Sequence, residues 1–184
     1  MINLNMHYSP LENKTVKDVV NMYFKNNIEA IFINFRMFGS NWLKTNPGFK
    51  VLETFTLCNN HFDSENLKGK SIVKLKLIDF SKNLEKCTHT FPLINNAKYF
   101  NTNMQEKKNL TEKPWCPNKN QKSDIEKNPL LILNHYKIRS QEECLMKDKN
   151  NFWEPIKNRY KLNNFKKFEK KFNKIKNIDI LKKI

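Results

Sequence analysis

Few residues here are built to bend the chain: 3 glycines and 7 prolines stand among 184 residues. That scarcity excludes collagen-like and Pro/Gly-rich low-complexity chains, and 39% hydrophobic with 12% aromatic residues is too apolar for wholesale disorder. The length fits one folded domain plus a tail. No apolar run approaches the ~18 residues needed to span a bilayer. Met1 to Met6 lack a basic start ahead of an apolar stretch, so no secretory signal is expected and the chain reads as cytoplasmic or otherwise intracellular.

Cysteine is sparse as well. Cys58, Cys87, Cys116 and Cys144 are isolated, which in a chain without an export signal predicts reduced thiols rather than a disulfide framework. Cys58 with His61 and Cys87 with His89 lie near each other, yet neither pair has the spacing of a zinc knuckle.

Acidic residues are the other shortage: 18 Asp+Glu face 34 Lys+Arg, leaving a formal charge of +16. Such a charge favours phosphates, nucleic acid or anionic lipid. Lys, Asn and Ile are over-used together, which an A/T-rich coding sequence produces whatever the function, so charge alone selects no partner.

What is present begins at Thr15-Val16-Lys17-Asp18, the shape of a capped helix start. Val16, Val19, Val20, Tyr23 and Phe24 follow at helical spacing, and Asn26-Asn27 closes the stretch. Ile28 to Phe38 is β-branched and aromatic, as expected of a buried strand stopping at Gly39. A tight turn there favours a residue free to take positive φ, letting Ser40 and Asn41 face a ligand beyond the strand's carboxyl end. Phe49 to Leu57 fits helix or strand, and Ser71 to Phe80 alternates like a half-buried strand. Residues 95–128, with Pro114 and Pro117 around Trp115, lack a sustained period and read as a long polar loop. Leu130 to Leu133 predicts a second buried strand delivering Asn134-His135-Tyr136, with Ser140 and Glu142-Glu143 opening a short helix. From Phe165, the spacing of Phe168, Phe172, Ile175 and Ile178 with intervening lysines predicts a basic amphipathic helix. Such a helix docks on its own domain, meets a partner, or lies on an anionic membrane, and docking is the favoured expectation.

Four stretches together resemble a family-2-like glycosyltransferase near the family 92 group: Ile33 to Asn41; Val51 to Thr56; Lys70 to Val73; and Asn134-His135-Tyr136 with Ser140, Glu142, Glu143 and Lys147. The resemblance covers about Val16 to Lys147, with residues 95–128 unmatched. It implies an α/β fold, a partial GT-A-like layered sheet with flanking helices. It divides the chain into a lead-in at 1–12, a transferase-like portion at 13–150 and a basic helical tail at 151–184.

The implied activity is transfer of a sugar from a nucleotide-sugar to a glycan, protein or lipid acceptor. The implied cofactor is Mn²⁺ or Mg²⁺ held by a DxD motif, where a hard cation offsets charge on the departing diphosphate. No Asp-x-Asp occurs in this chain. Trp42-Leu43 and Asn150-Asn151 also stand where the family commonly has Gly-His and Arg-Gly. The expectation is therefore an acceptor-side portion, with a partner chain supplying the donor half or with no activity of its own. By resemblance, His135 would ligate metal or touch the donor diphosphate, with His89 a further candidate. Asn134 and Tyr136 would orient that ring or bind sugar hydroxyls, alongside Gly39, Ser40 and Asn41. Lys70 and Ser71 would contact phosphate or acceptor, and Glu53 would be the general base. The competing expectation is a basic nucleic-acid-binding or protein-interaction module without catalysis, its lysine-rich tail meeting phosphates.

Overall fold

Thr15 opens the first helix by a reciprocal exchange: its hydroxyl accepts from the Asp18 backbone N–H while the Asp18 carboxylate accepts from the Thr15 N–H. In the computed structural model, which describes residues 5–8, 15–48, 50–84, 89–107, 110, 125–126, 129–149 and 162–178, this helix is α1, Val16–Lys25, preceded by strand β1, Asn5–Tyr8. Val19 and Tyr23 bury its inner face, and Asn27 takes φ 58° to end it. Cys87, Cys116, the Pro114-Trp115-Pro117 stretch and Asn150-Asn151 lie outside the described residues.

The buried strand expected next is β2, Ala30–Met37, inaccessible along nearly its whole length. The Phe49–Leu57 stretch resolves into both alternatives: a one-turn helix α2, Val51–Thr54, then strand β3, Leu57–Cys58. Strand β4, Gly69–Val73, pairs antiparallel with β2, Ala30 opposite Val73 and Asn34 opposite Gly69. A Cβ on Gly69 would stand 2.1 Å from the Ile33 carbonyl oxygen, so only glycine lets the two backbones approach here. Beyond Val73 the expected strand is a 3₁₀ turn at Leu75–Leu77, with Leu75 73% and Phe80 66% exposed. The reason is that β2 begins at Ala30. After Lys74 donates to the Glu29 carbonyl, β2 offers no further residue to pair with: the Leu77 N–H bonds back to the Lys74 carbonyl, and the chain then bridges to Leu93 through Ile78 instead of continuing β4.

Strand β5, Leu131–His135, completes a four-stranded sheet in the order β1-β5-β2-β4. Helix α3, Gln141–Lys149, follows, then α4, Leu162–Phe172, and strand β6, Ile175–Lys176, which pairs with β3. Helices and strands are thus mixed around a small sheet, an α/β architecture. Contacts divide the chain into two compact units, one of Met1–Phe35 with Phe62–Leu133, the other of Arg36–His61 with Asn134–Ile184. Among the described residues no helix is long and apolar enough to cross a membrane.

Part of the segment expected as a long polar loop, residues 95–128, is packed in the first unit. Phe100 bridges to Ile31, and Thr102 is fully buried. The Thr102 N–H and hydroxyl donate to the two carboxylate oxygens of Glu126, while the Tyr23 hydroxyl donates to the Thr102 carbonyl at 2.6 Å.

The tail helix stops earlier than its apolar spacing predicts. Asn173 still donates to the Glu169 carbonyl, but Lys174 donates to Cys58 and Asn177 to Thr56. Pairing with β3 replaces the next helical turn, and Ile175 and Ile178 are left exposed.

Candidate functional site

Two sequence-distant turns meet in the second unit. The Phe38 N–H donates to the His135 carbonyl at 3.0 Å, so the end of β2 and the end of β5 lie side by side. Gly39-Ser40-Asn41 follows one strand and Tyr136 the other. Carboxyl ends of neighbouring strands are where layered α/β folds take ligands.

The first turn is held from within. The Asn41 side-chain amide donates to the Thr54 carbonyl and to the Thr56 hydroxyl, while its oxygen accepts from the Leu57 N–H at 2.8 Å. Ser40 is fully buried; its hydroxyl donates to Glu169 and accepts from Trp42 and from the Asn173 side chain. Asn173 closes the ring by accepting from the Asn41 N–H. Ser40 and Asn41 therefore turn inward, where sequence reasoning had them facing a ligand.

Gly39 is needed for a different reason from the one expected. Positive φ falls on Asn41 and Trp42, whereas a Cβ on Gly39 would stand 2.0 Å from the Asn173 side-chain oxygen and 3.0 Å from the Phe172 backbone. Glu169 and Asn173 were not found from the sequence. The available signal was one acid in a lysine-rich helix, four residues before an Asn and beside the phenylalanine stripe.

At the second turn, Asn134 is buried and His135 partly accessible. The Tyr136 ring packs on Phe38 at 4.8 Å and Phe55 at 6.5 Å. Its hydroxyl is enclosed with no hydrogen-bond partner among the described residues, and burial, helped by nearby Cys58, pushes its ionisation above the ordinary phenol range. Downstream, the Ser140 hydroxyl accepts from the Glu143 N–H, and Glu143 accepts in return from the Ser140 N–H, capping α3. Glu143 also pairs with Arg139 at 3.0 Å. Burial first, and then the charge of Arg139, lower the Lys147 ammonium's pKa. Glu142 accepts from the Asn46 N–H, fastening the start of α3 to the loop after Trp42.

Glu53 projects from α2 with a 53% exposed side chain, 3.1 Å from Lys50. Arg36 donates to His61 Nδ1 at 2.7 Å, a pair that sequence reasoning missed. That bond leaves Nδ1 no lone pair for a metal and removes it from the Cys58/His61 pairing considered above.

Lys70, Ser71 and His89 belong to the first unit. Lys70 shares a face of the β2/β4 ladder with Ile33, and Ser71 shares the opposite one with Phe32. His89 Nδ1 donates to the Gly69 carbonyl at 2.6 Å, and the ring meets the edge of Phe35. Burial, with Lys70 and Lys68 nearby, holds His89 below its usual pKa of 6.5 against the opposing bond to the Gly69 carbonyl; burial lowers Lys70 too.

Among the described residues no group of three or more His, Cys, Asp or Glu is placed to hold a metal ion. His135 and its neighbours do not complete the oxygen-rich shell of a hard cation such as Mn²⁺ or Mg²⁺. No protein-family model, no curated protein and no solved structure matches this chain.

Proposed function

We propose that this chain forms the acceptor-side portion of a glycosyltransferase that moves a sugar from a nucleotide-sugar to an acceptor hydroxyl, with the carboxylates for the donor's metal supplied by a partner chain. The observation that carries this reading is the Phe38–His135 hydrogen bond, which joins the two polar turns at neighbouring strand ends. On this reading His135 meets the donor diphosphate, and the enclosed Tyr136 hydroxyl orients the ring or meets a sugar hydroxyl. Asn134, Gly39, Ser40 and Asn41 hold the two turns in register. Glu53, open to solvent, accepts the acceptor's proton. In the first unit Lys70 and Ser71, on opposite faces of the β2/β4 ladder, are each a contact to phosphate or acceptor on this reading, with His89 a further candidate. Mn²⁺ or Mg²⁺, when bound, would offset charge on the leaving diphosphate; among the described residues no group of three or more His, Cys, Asp or Glu is placed to hold it.

Calorimetry of UDP- and GDP-sugars with and without Mn²⁺ tests the reading. Binding heat that His135→Ala removes supports it. Silence with every nucleotide-sugar, alongside tight DNA binding, overturns it in favour of the second reading, a nucleic-acid-binding module. That second reading rests on Lys166, Lys167 and Lys170 of α4, which are exposed and make no ion pair among the described residues.

A further inference from the structure

Trp42 stands at the rim of this site in a conformation that a bulky side chain adopts only under constraint. Its φ is 63°, directly after Asn41 at φ 51°, in the left-handed region where Cβ crowds the backbone. The constraint is visible. The Trp42 N–H donates to the Ser40 hydroxyl, Leu43 donates to the Ser40 carbonyl, and Ser40 is itself fixed by Glu169 and Asn173. The indole contributes little to the core that would justify that cost, since Trp42 is 54% exposed. A backbone outlier held by its surroundings and carrying an exposed aromatic ring is the form a binding residue takes.

We infer that Trp42 is a stacking platform for one sugar ring of the acceptor, an inference that takes its ligand class from the transferase reading above. An indole offers a wide, flat, electron-rich face, and the C–H edge of a pyranose is the complementary apolar, weakly positive surface. The ring stands on the turn whose β2 end is bonded to His135, so a sugar stacked there belongs to the strand-end site. A run of nucleobases would need successive aromatic platforms. Among the described residues of the second unit Trp42 is the one exposed aromatic ring, which fits a single sugar better than a strand.

The full chain would be titrated with chitotriose, cellotriose and mannotriose, following indole emission and calorimetric heat. Trp42→Asn removes the ring while tolerating the left-handed backbone, and Trp42→Phe keeps an aromatic face. The expected result is binding of at least one trisaccharide by wild type and Trp42→Phe, and a loss on the order of tenfold or more in Trp42→Asn. The melting temperature of Trp42→Asn should equal or exceed that of wild type, which separates lost binding from lost folding. Equal binding by Trp42→Asn, or no trisaccharide bound by wild type, overturns the platform. So does Trp42-dependent binding of oligo-dT in place of sugar. Nucleotide-sugar heat is read separately. Trisaccharide binding that depends on Trp42 without nucleotide-sugar heat retires the transferase reading and keeps the platform, and the reverse pattern does the opposite.

Discussion

Asn41 spends its whole side chain on the backbone around it, bonding Thr54, Thr56 and Leu57 at once. Removing it strands a peptide N–H and a carbonyl in a part-buried turn. Asn41→Ala should therefore lower stability by about 2–3 kcal/mol, read as a shifted urea midpoint at unchanged slope. The residue was legible as a turn residue, but the direction of its amide was not, because the bonds that fix it come from residues well separated in sequence. Glu126 was not legible at all: a lone acid in a polar stretch reads as solvated, yet it is 6% exposed, bonded by Thr102 and near Tyr23 and Lys107. Burial raises its pKa above the ordinary 4.5 despite the bonds from Thr102 and the charge of Lys107, so the folded chain binds this proton more tightly than the unfolded chain. The stability this proton adds is fully present below the unfolded value and is lost as pH rises through the higher folded one. Glu126→Gln keeps an acceptor without the charge. Denaturation of both proteins at pH 4 and pH 8 should show the variant gaining on wild type at the higher pH; a constant difference would count against a buried, proton-binding Glu126.

At the level of elements, what could be read in advance was whatever the chain decides locally. Thr15 and Asp18 are three residues apart, so their capping exchange needs nothing from the rest of the fold. Thr15→Ala should cost about 1 kcal/mol, visible as a lower melting temperature and faster amide exchange in the first turn of α1. The buried β2 and β5 were legible for a similar reason, since runs such as Ile31-Phe32-Ile33 and Leu131-Ile132-Leu133 have few alternatives to burial. The misread elements were decided by partners. The alternation after Ser71 continues past the point where β2 can pair with it, and the apolar spacing after Phe172 continues past the point where the Cys58 and Thr56 carbonyls capture Lys174 and Asn177. Periodicity records which side chains recur, not which backbone groups have a partner within reach.

For the whole molecule, the excess of 34 basic over 18 acidic residues is a field before it is a site. Several cations are already engaged: Lys50, Lys68, Lys74, Lys76, Lys98 and Arg139 sit within ion-pair distance of Glu53, Glu65, Glu29, Glu106 and Glu143. The α4 lysines differ, because the apolar face of their helix is spent on burying Phe165 and Phe172 and the charged face is left outward. This geometry separates charge from chemistry. Replacing Lys166, Lys167 and Lys170 together with Gln leaves Glu169, Phe165 and Phe172 in place, so the turn at Ser40 keeps its support. If these lysines meet phosphates, the slope of log K against log salt for duplex DNA should fall in magnitude by about 3. Nucleotide-sugar heat and trisaccharide binding, which depend on His135 and Trp42, should not change with them. A salt slope unaffected by the triple replacement would assign DNA binding to the diffuse charge of the chain, and loss of sugar binding in the same protein would show that the basic face and the strand-end site are one surface.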